Sequence, residues 1–286
     1  MSSDKAFPPQ TQDQQPGLQH QMDPQPAVAE SYKPAGKLKG KKLLITGGDS
    51  GIGRSVVVMA AMEGVDGITI LYKDDEKEDA SESAKMAEKH GAKVLLKAGD
   101  IADYDFCKSV VDAHIQEFKT IDILINNAAE QHVCDFLGDI DMSQVERTFK
   151  TNILGMFAVT KYALAHMKPG SAIVNSTSVT AYKGRPDLCD YSSTKGAITA
   201  FTRSLSQQLA SKKIRVNGVA PGPIWTPLIP ASLPKEQVEQ FGQKTPLGRA
   251  GQPSECATCY IFLASDDASY ISGSVLHPNG GTVVNS

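Results

Sequence analysis

The chain has 286 residues, 41% hydrophobic and 21% charged, and its 29 basic and 32 acidic side chains give a net charge of −3. That is ample apolar material for one large α/β domain, with no basic footprint for nucleic acid. No run approaches the ~18 apolar residues of a membrane span, and the first residues lack a signal-peptide core. The five cysteines, an odd number, suit a reducing compartment, so a cytoplasmic location is expected.

Residues 1–40 differ in kind from the rest. Pro8, Pro9, Pro16, Pro24, Pro26 and Pro34 are interspersed with glutamines and few aliphatic side chains, so this segment cannot build a core of its own. It is expected either to be disordered or to lie as an extended arm on the globular body or on a neighbouring subunit. From residue 41 to 286 strands and helices alternate. Strands are predicted over 42–46, 68–72, 94–97, 121–126, 172–176, 214–220 and 274–277, several of them continuous β-branched runs that suit parallel strands covered on both faces. Helices are predicted over 53–63, 81–90, 106–118, 144–166 and 192–210. The alternation predicts a doubly wound, seven-stranded parallel sheet with helices on both faces and ligands at the carboxyl ends of the strands.

The first strand runs directly into Thr46-Gly-Gly-Asp-Ser-Gly-Ile-Gly53 and a helix. Gly47 permits a tight turn, Gly51 lets a pyrophosphate approach the backbone, and Gly53 lets the helix pack closely on the sheet. The helix N-terminus adds free N–H groups and a positive dipole end. Thr46, Gly47, Ser50, Gly51, Ile52 and Gly53 are therefore candidates for holding a dinucleotide. After the third strand, Asp100 is placed to accept from an adenine amino group, with Ile101 beside it. At the end of the fourth, Asn126 is expected to tie strands together, while Asn127, Ala128 and Ala129 border the ribose.

Tyr191 and Lys195 stand four apart on a predicted helix and so share a face. A tyrosine pKa of ~10 must fall by roughly 2–3 units for proton transfer near neutrality, about 3–4 kcal/mol. An ammonium ~5 Å away at an effective dielectric of ~20 supplies roughly 3 kcal/mol. Ser178, thirteen residues upstream, can hydrogen-bond an oxygen presented to the same phenol. Tyr104 and Lys108 share the spacing but have Gly91 where a serine is needed, and read as a solvated helix start. Cys256 and Cys259 lie in a helical apolar pattern without a second C-x-x-C, so no metal site is expected.

These motifs together resemble the classical short-chain dehydrogenases/reductases from about residue 41 onward: Thr46-Gly-x-x-x-Gly-Ile-Gly53, Asn126-Asn-Ala, Asn152, Ser178, Tyr191-x-x-x-Lys195 and Pro221-Gly222 occur in that family's order. Gly47-Gly-Asp-Ser-Gly-Ile-Gly, Pro221-Gly-Pro-Ile-Trp-Thr and Arg249-Ala-Gly-Gln-Pro are similar to the branch holding bacterial aldehyde reductases, general-stress dehydrogenases and plant glucose/ribitol dehydrogenase-like proteins. Ala129 departs from the family, many members having glycine there. The resemblance implies a Rossmann fold, a nicotinamide cofactor and a homotetramer or homodimer. It implies Tyr191 as general acid and base, Lys195 on the nicotinamide ribose, Ser178 on the substrate oxygen, and Asn152 organising a water that relays protons to Lys195. Pro221, Gly222, Ile224 and Thr226 would run past the nicotinamide, and residues 225–246 would form a substrate lid. Gln131, Val179, Tyr182, Leu188, Trp225 and Phe241 are the candidate substrate contacts, with His132 a pocket-wall or surface residue.

The expected reaction is hydride transfer between nicotinamide and a small-molecule carbonyl or alcohol. A non-catalytic nucleotide sensor or scaffold, or another reaction on the same fold, are the alternatives. The second strand exits as Ile70-Leu-Tyr-Lys73, whose basic tip favours NADP. Asp74, Asp75 and Glu76 follow immediately and keep NAD as the alternative, because a carboxylate there would hold the ribose 2′-hydroxyl.

Overall fold

In the computed structural model, which describes residues 6–284, seven strands form one parallel sheet in the order β3-β2-β1-β4-β5-β6-β7. They are β1 (Lys42–Thr46), β2 (Gly67–Tyr72), β3 (Lys93–Ala98), β4 (Ile121–Asn126), β5 (Met167–Ser176), β6 (Arg215–Val219) and β7 (Val275–Leu276). The order reverses between β1 and β4, which pair from Leu43 opposite Ile123 to Thr46 opposite Asn126. Connections leaving β1 and β4 diverge to opposite sides there, and a crevice opens at the carboxyl ends of these strands.

One face of the sheet carries α1 (Gly51–Met62), α2 (Lys77–Glu88) and α10 (Pro253–Ala264); the other carries α3 (Tyr104–Phe118), α5 (Met156–Leu164) and α7 (Cys189–Leu209). Because both faces are covered, β1 and β2 are apolar almost throughout. Side chains fix several helix starts. Asp103 accepts from the N–H groups of Asp105 and Phe106 to open α3, and Lys119 ends that helix at φ 71. Gln252 and Glu255 cap α10 reciprocally, with Pro253 in its first turn.

The helix expected over 144–166 is interrupted. It divides into α4 (Met142–Phe149), a π-helical turn (Lys150–Gly155) and α5. The side-chain amide of Asn152 is clamped to the Glu130 main chain, and a Cβ on Gly155 would stand 2.6 Å from the Ile101 carbonyl oxygen. The helix must bulge to meet both. Short helices α6 (Thr180–Lys183), α8 (Leu228–Ser232) and α9 (Lys235–Glu239) roof the crevice.

Residues 6–40 lie extended over the body. Phe7 stacks on Trp225 with ring centres 3.8 Å apart, and Met22 joins the same buried cluster. Among the described residues no helix is long and apolar enough to cross a membrane.

Candidate active site

Tyr191 lies in the first turn of α7, and Lys195 follows one turn later on the same face. Lys195 Nζ is 5.3 Å from the centre of the Tyr191 ring and donates to the Ser176 carbonyl oxygen at 2.9 Å. Ser178 follows the end of β5. Its Oγ accepts from the N–H and the hydroxyl of Thr180, at 3.1 and 3.0 Å. With its lone pairs so engaged, the Ser178 proton is left to donate. Thr180 carries no motif and was not expected from the sequence.

The electrostatics differ from the expected lowering of the phenol by the lysine. Burial pushes the Tyr191 phenol up to about 12, only partly offset by its hydrogen bond with Ser178. Burial alone pulls the Lys195 ammonium down to about 7. Both groups are enclosed, and among the described residues no carboxylate offsets the burial, so each is driven toward its neutral form.

A cavity of about 600 Å³ opens at this pair, walled by Gln131, Val179, Leu188 and Phe241 and by Pro221, Gly222, Ile224 and Thr226. A second cavity, of about 140 Å³, adjoins it across Ile52, Asn127, Ala129 and Thr226. This one is lined by Gly47, Ser50, Gly51, Lys73, Asp100, Ile101 and Ala128. The glycine turn fits the cradle read from the sequence. Gly47 sits at φ +65 with the site of a Cβ 3.0 Å from Ala128 Cα, and a Cβ on Gly53 would lie 1.8 Å from the Gly47 carbonyl oxygen. A dinucleotide spanning the two cavities would meet the N-terminus of α1 at its middle.

Several expected contacts are corrected. Trp225 is fully buried beneath the N-terminal arm, with its indole N–H donating to the Pro24 carbonyl oxygen at 2.9 Å, and lines neither cavity. Tyr182 likewise leaves the wall, packing edge-on against His277 at 4.9 Å. Thr46 lines no cavity: its hydroxyl accepts from the N–H groups of Asn127 and Ala128, holding the β4 loop. Asn152 donates to the Glu130 carbonyl oxygen and to Thr194 Oγ1, and its oxygen accepts from the Glu130 N–H. Its side chain acts as a clamp at the helix break. Gly53 works through close packing and borders neither cavity.

Other placements agree with expectation. Asn126 bridges to Asn175 Oδ1 and Thr160 Oγ1. Tyr104 is exposed at the start of α3, and Lys108 pairs with Asp112 in solvent. Cys256 and Cys259 are unpaired on α10. His132 is half-buried at the edge of the crevice, beside Gln15 of the arm.

The sequence reading missed Arg147 and the Ser176 link, and left open which of Asp74, Asp75 and Glu76 faces the nucleotide. Arg147 bridges Asp100 and Glu130, at 2.7 and 3.1 Å. Although burial pulls the Asp100 carboxyl upward, the hydrogen bonds from Arg147 and the Ala102 N–H hold it below its ordinary value. Ser176 Oγ links Asn127 to the buried Tyr260 hydroxyl, joining the glycine turn to α10. The acidic side chain that reaches the nucleotide cavity is Glu76, together with Asp49; Asp74 and Asp75 stand exposed outside it. Burial raises both carboxyls, helped by repulsion from Asp49 at Glu76 and from Asp79 at Asp49.

A family model described as enoyl-(acyl carrier protein) reductase matches residues 47–283. General stress protein 39 of Bacillus subtilis (strain 168) is 55% identical over 281 residues, 98% of each chain. The chain belongs to the short-chain dehydrogenase/reductase family. It is also 50% identical over 291 residues to an NADPH-dependent aldehyde reductase 1, chloroplastic, of Arabidopsis thaliana, covering 100% of both. The solved structure of a short-chain glucose/ribitol dehydrogenase from Brucella melitensis superposes with a TM-score of 0.78 at 31% identity, over 87% of this chain and 99% of that one. As a member of this family, the protein is an oxidoreductase of CH–OH and C=O groups.

Proposed function

We propose that the protein is an NADP(H)-preferring reductase of small aldehydes or ketones that also runs in the alcohol-oxidising direction. The observation that carries this reading is the meeting of Tyr191 and Lys195 at one wall of a cavity that adjoins the glycine cradle, with Ser178 hydrogen-bonded to the Tyr191 phenol. A bound nicotinamide would exchange the hydride with the substrate carbon. The Ser178 hydroxyl hydrogen-bonds the substrate oxygen and steadies the charge that gathers there. The Tyr191 phenol gives that oxygen a proton in reduction and takes it back in oxidation. Lys195 holds the ribose side of the site, anchored by the Ser176 carbonyl. Gln131, Val179, Leu188 and Phe241 shape the substrate end. Residues 225–246 act as its lid, tied down through Trp225 rather than presenting that ring to substrate.

The preference for NADP(H) is supported by Lys73 in the wall of the nucleotide cavity and by the exposure of Asp74 and Asp75 away from it. Burial and the neighbouring Asp49 push the Glu76 carboxyl upward, toward the form that does not repel a 2′-phosphate. The Arabidopsis relative, by its name, uses NADPH. For the substrate, Arg185 bonds Asp187 and Gln237 at the cavity rim opposite the apolar Val179 and Leu188. That mixture suits a short chain with a hydroxyl near its carbonyl.

A homotetramer or homodimer in the cytoplasm belongs to the same reading. Leu154, in the π-helical turn, and Phe157, in the first turn of α5, stand half-exposed, and Phe157 packs on Phe201 of α7; an apolar helical face of this kind suits burial against a second copy. Purified protein tested with NADPH and NADH against a panel of aldehydes, ketones and polyols tests the proposal. Carbonyl-dependent cofactor oxidation with higher kcat/KM for NADPH is expected. No turnover with any member of the panel would overturn the reductase reading, and a clear NADH preference would reassign Glu76 as the acceptor of the ribose 2′-hydroxyl.

A further inference from the structure

The N-terminal arm crosses the mouth of the nucleotide crevice. One residue spans it: Gln15 accepts through its side chain from the Gln131 N–H at 3.0 Å, beyond β4, and through its carbonyl from Lys73 Nζ at 2.9 Å, beyond β2. Pro16 then forms part of the cavity wall. Gly17 lies against the lid, where a Cβ would stand 2.5 Å from the Pro227 carbonyl oxygen. Gln19, itself buried, accepts from the Gly51 N–H at 2.7 Å, and its own N–H donates to Asp79 at 2.7 Å. The arm is fixed further along by Trp225 on Pro24 and by Gln252 on the Ala27 N–H.

We infer that residues 15–19 are the outer wall of the cofactor site and close over a bound dinucleotide, retaining it. The inference rests on the reading that this crevice takes a nicotinamide dinucleotide. A segment that merely plugged the site would fill it. Here a cavity of about 140 Å³ persists beneath Pro16, still lined by the glycine turn, Asp100 and Lys73. The strap touches the rim on both sides, and apart from Gln19 on Gly51 it leaves the floor uncovered. It has a second effect on the same ligand. The Gln15 carbonyl takes one of the three donors of Lys73 and so fixes where the other two point, into the wall assigned to the 2′-phosphate. Gln15 is thus a positioning residue, and the arm couples the lid at Pro227 to the nucleotide end through a short run of chain.

The full-length protein, a Gln15→Ala/Gln19→Ala double variant and a chain lacking residues 1–24 distinguish the possibilities. Dissociation of NADPH is followed by stopped-flow fluorescence, and amide hydrogen exchange over residues 15–20 is compared with and without NADPH. Loss of the two side-chain hydrogen bonds, one of them buried, is expected to speed dissociation about tenfold in the double variant, and truncation more. NADPH is expected to slow exchange in the wild-type strap. Faster exchange on adding NADPH, or slower dissociation in the variants, would make the arm a competitor and overturn the inference. Unchanged dissociation in the double variant, which keeps the rest of the arm and its packing, would overturn it equally. Failure of the wild-type chain to bind NADPH or NADH at all would overturn the cofactor reading and the strap with it. Binding with rates indifferent to the arm overturns the strap alone.

Discussion

Replacing Lys195 with methionine is expected to stabilise the fold near neutral pH and to lose that advantage as the pH rises. Burial lowers the lysine from 10.5 in the unfolded chain to about 7 in the folded one. Between those values the unfolded chain holds a proton that the folded chain does not, so stability rises with pH across the window. The shift of roughly 3.5 units corresponds to about 5 kcal/mol, or about 1.4 kcal/mol per pH unit. Methionine fits a similar volume without a charge to bury. It also gives up the bond to the Ser176 carbonyl oxygen, worth about 1 kcal/mol. The Lys195→Met protein should therefore be more stable by roughly 3–4 kcal/mol at pH 7 and nearly equal to wild type at pH 10. Tyr191 does not confuse the comparison below pH 10, since burial moves its titration upward to about 12. Urea denaturation of cofactor-stripped protein at fixed chain concentration, from pH 7 to 10, gives the difference directly. A difference that does not change with pH, or a variant less stable than wild type at pH 7, would refute the burial argument.

Tyr191→Phe should lower kcat by ~100-fold or more while NADPH binding, measured by fluorescence, is retained, because the ring and Lys195 remain. Gly53→Ala should abolish cofactor binding or folding, since its Cβ would lie 1.8 Å from the Gly47 carbonyl oxygen; circular dichroism and NADPH titration separate the two outcomes. Trp225→Ala should cost about 3–5 kcal/mol in chemical denaturation, as Phe7 loses its stacking partner and Pro24 a hydrogen bond. His114 is held down to about 4 by burial, although its bond to the Thr120 carbonyl pulls the other way. The unfolded chain therefore takes up a proton first between pH 6.5 and 4, and stability falls with pH there; His114→Gln should flatten that acid limb by about 3 kcal/mol.

What could be read in advance depended on whether the cause was local. The strands announced themselves because parallel strands buried on both faces must be apolar along their whole length, and the glycine turn because close approach leaves no room for a side chain. Tyr191 and Lys195 were visible because one helical turn fixes their relation. Arg147 was not: its partners Asp100 and Glu130 lie on other segments, and nothing in its neighbourhood marks it. The break at Lys150–Gly155 arises from contacts of Asn152 and Gly155 with distant backbone, so the helical pattern ran through it unbroken. Trp225 was misplaced for the same reason. A large apolar side chain in a lid suggests a ligand, and only the fold reveals Phe7 and Met22 in the ligand's place.

The burial that would make Lys195 costly to the fold is also what makes it useful. In water an ammonium 5.3 Å from a phenol would be well screened. In an enclosed wall the same charge acts strongly on its neighbour, but the enclosure removes the charge unless something opposes the loss. The chain supplies no carboxylate for this purpose, and its nearest gift to Nζ is the neutral Ser176 carbonyl. The protein alone therefore holds a phenol and an amine both inclined to neutrality, an arrangement with little capacity for proton transfer. Whatever occupies the adjoining cavities must restore the ammonium before the phenol is activated. A binding-competent cofactor is then a condition for acid–base chemistry as well as a partner in redox. On this view the pH at which Lys195 titrates should rise on cofactor binding, and a strap that holds the cofactor in place keeps the proton-transfer machinery charged while the cofactor is bound.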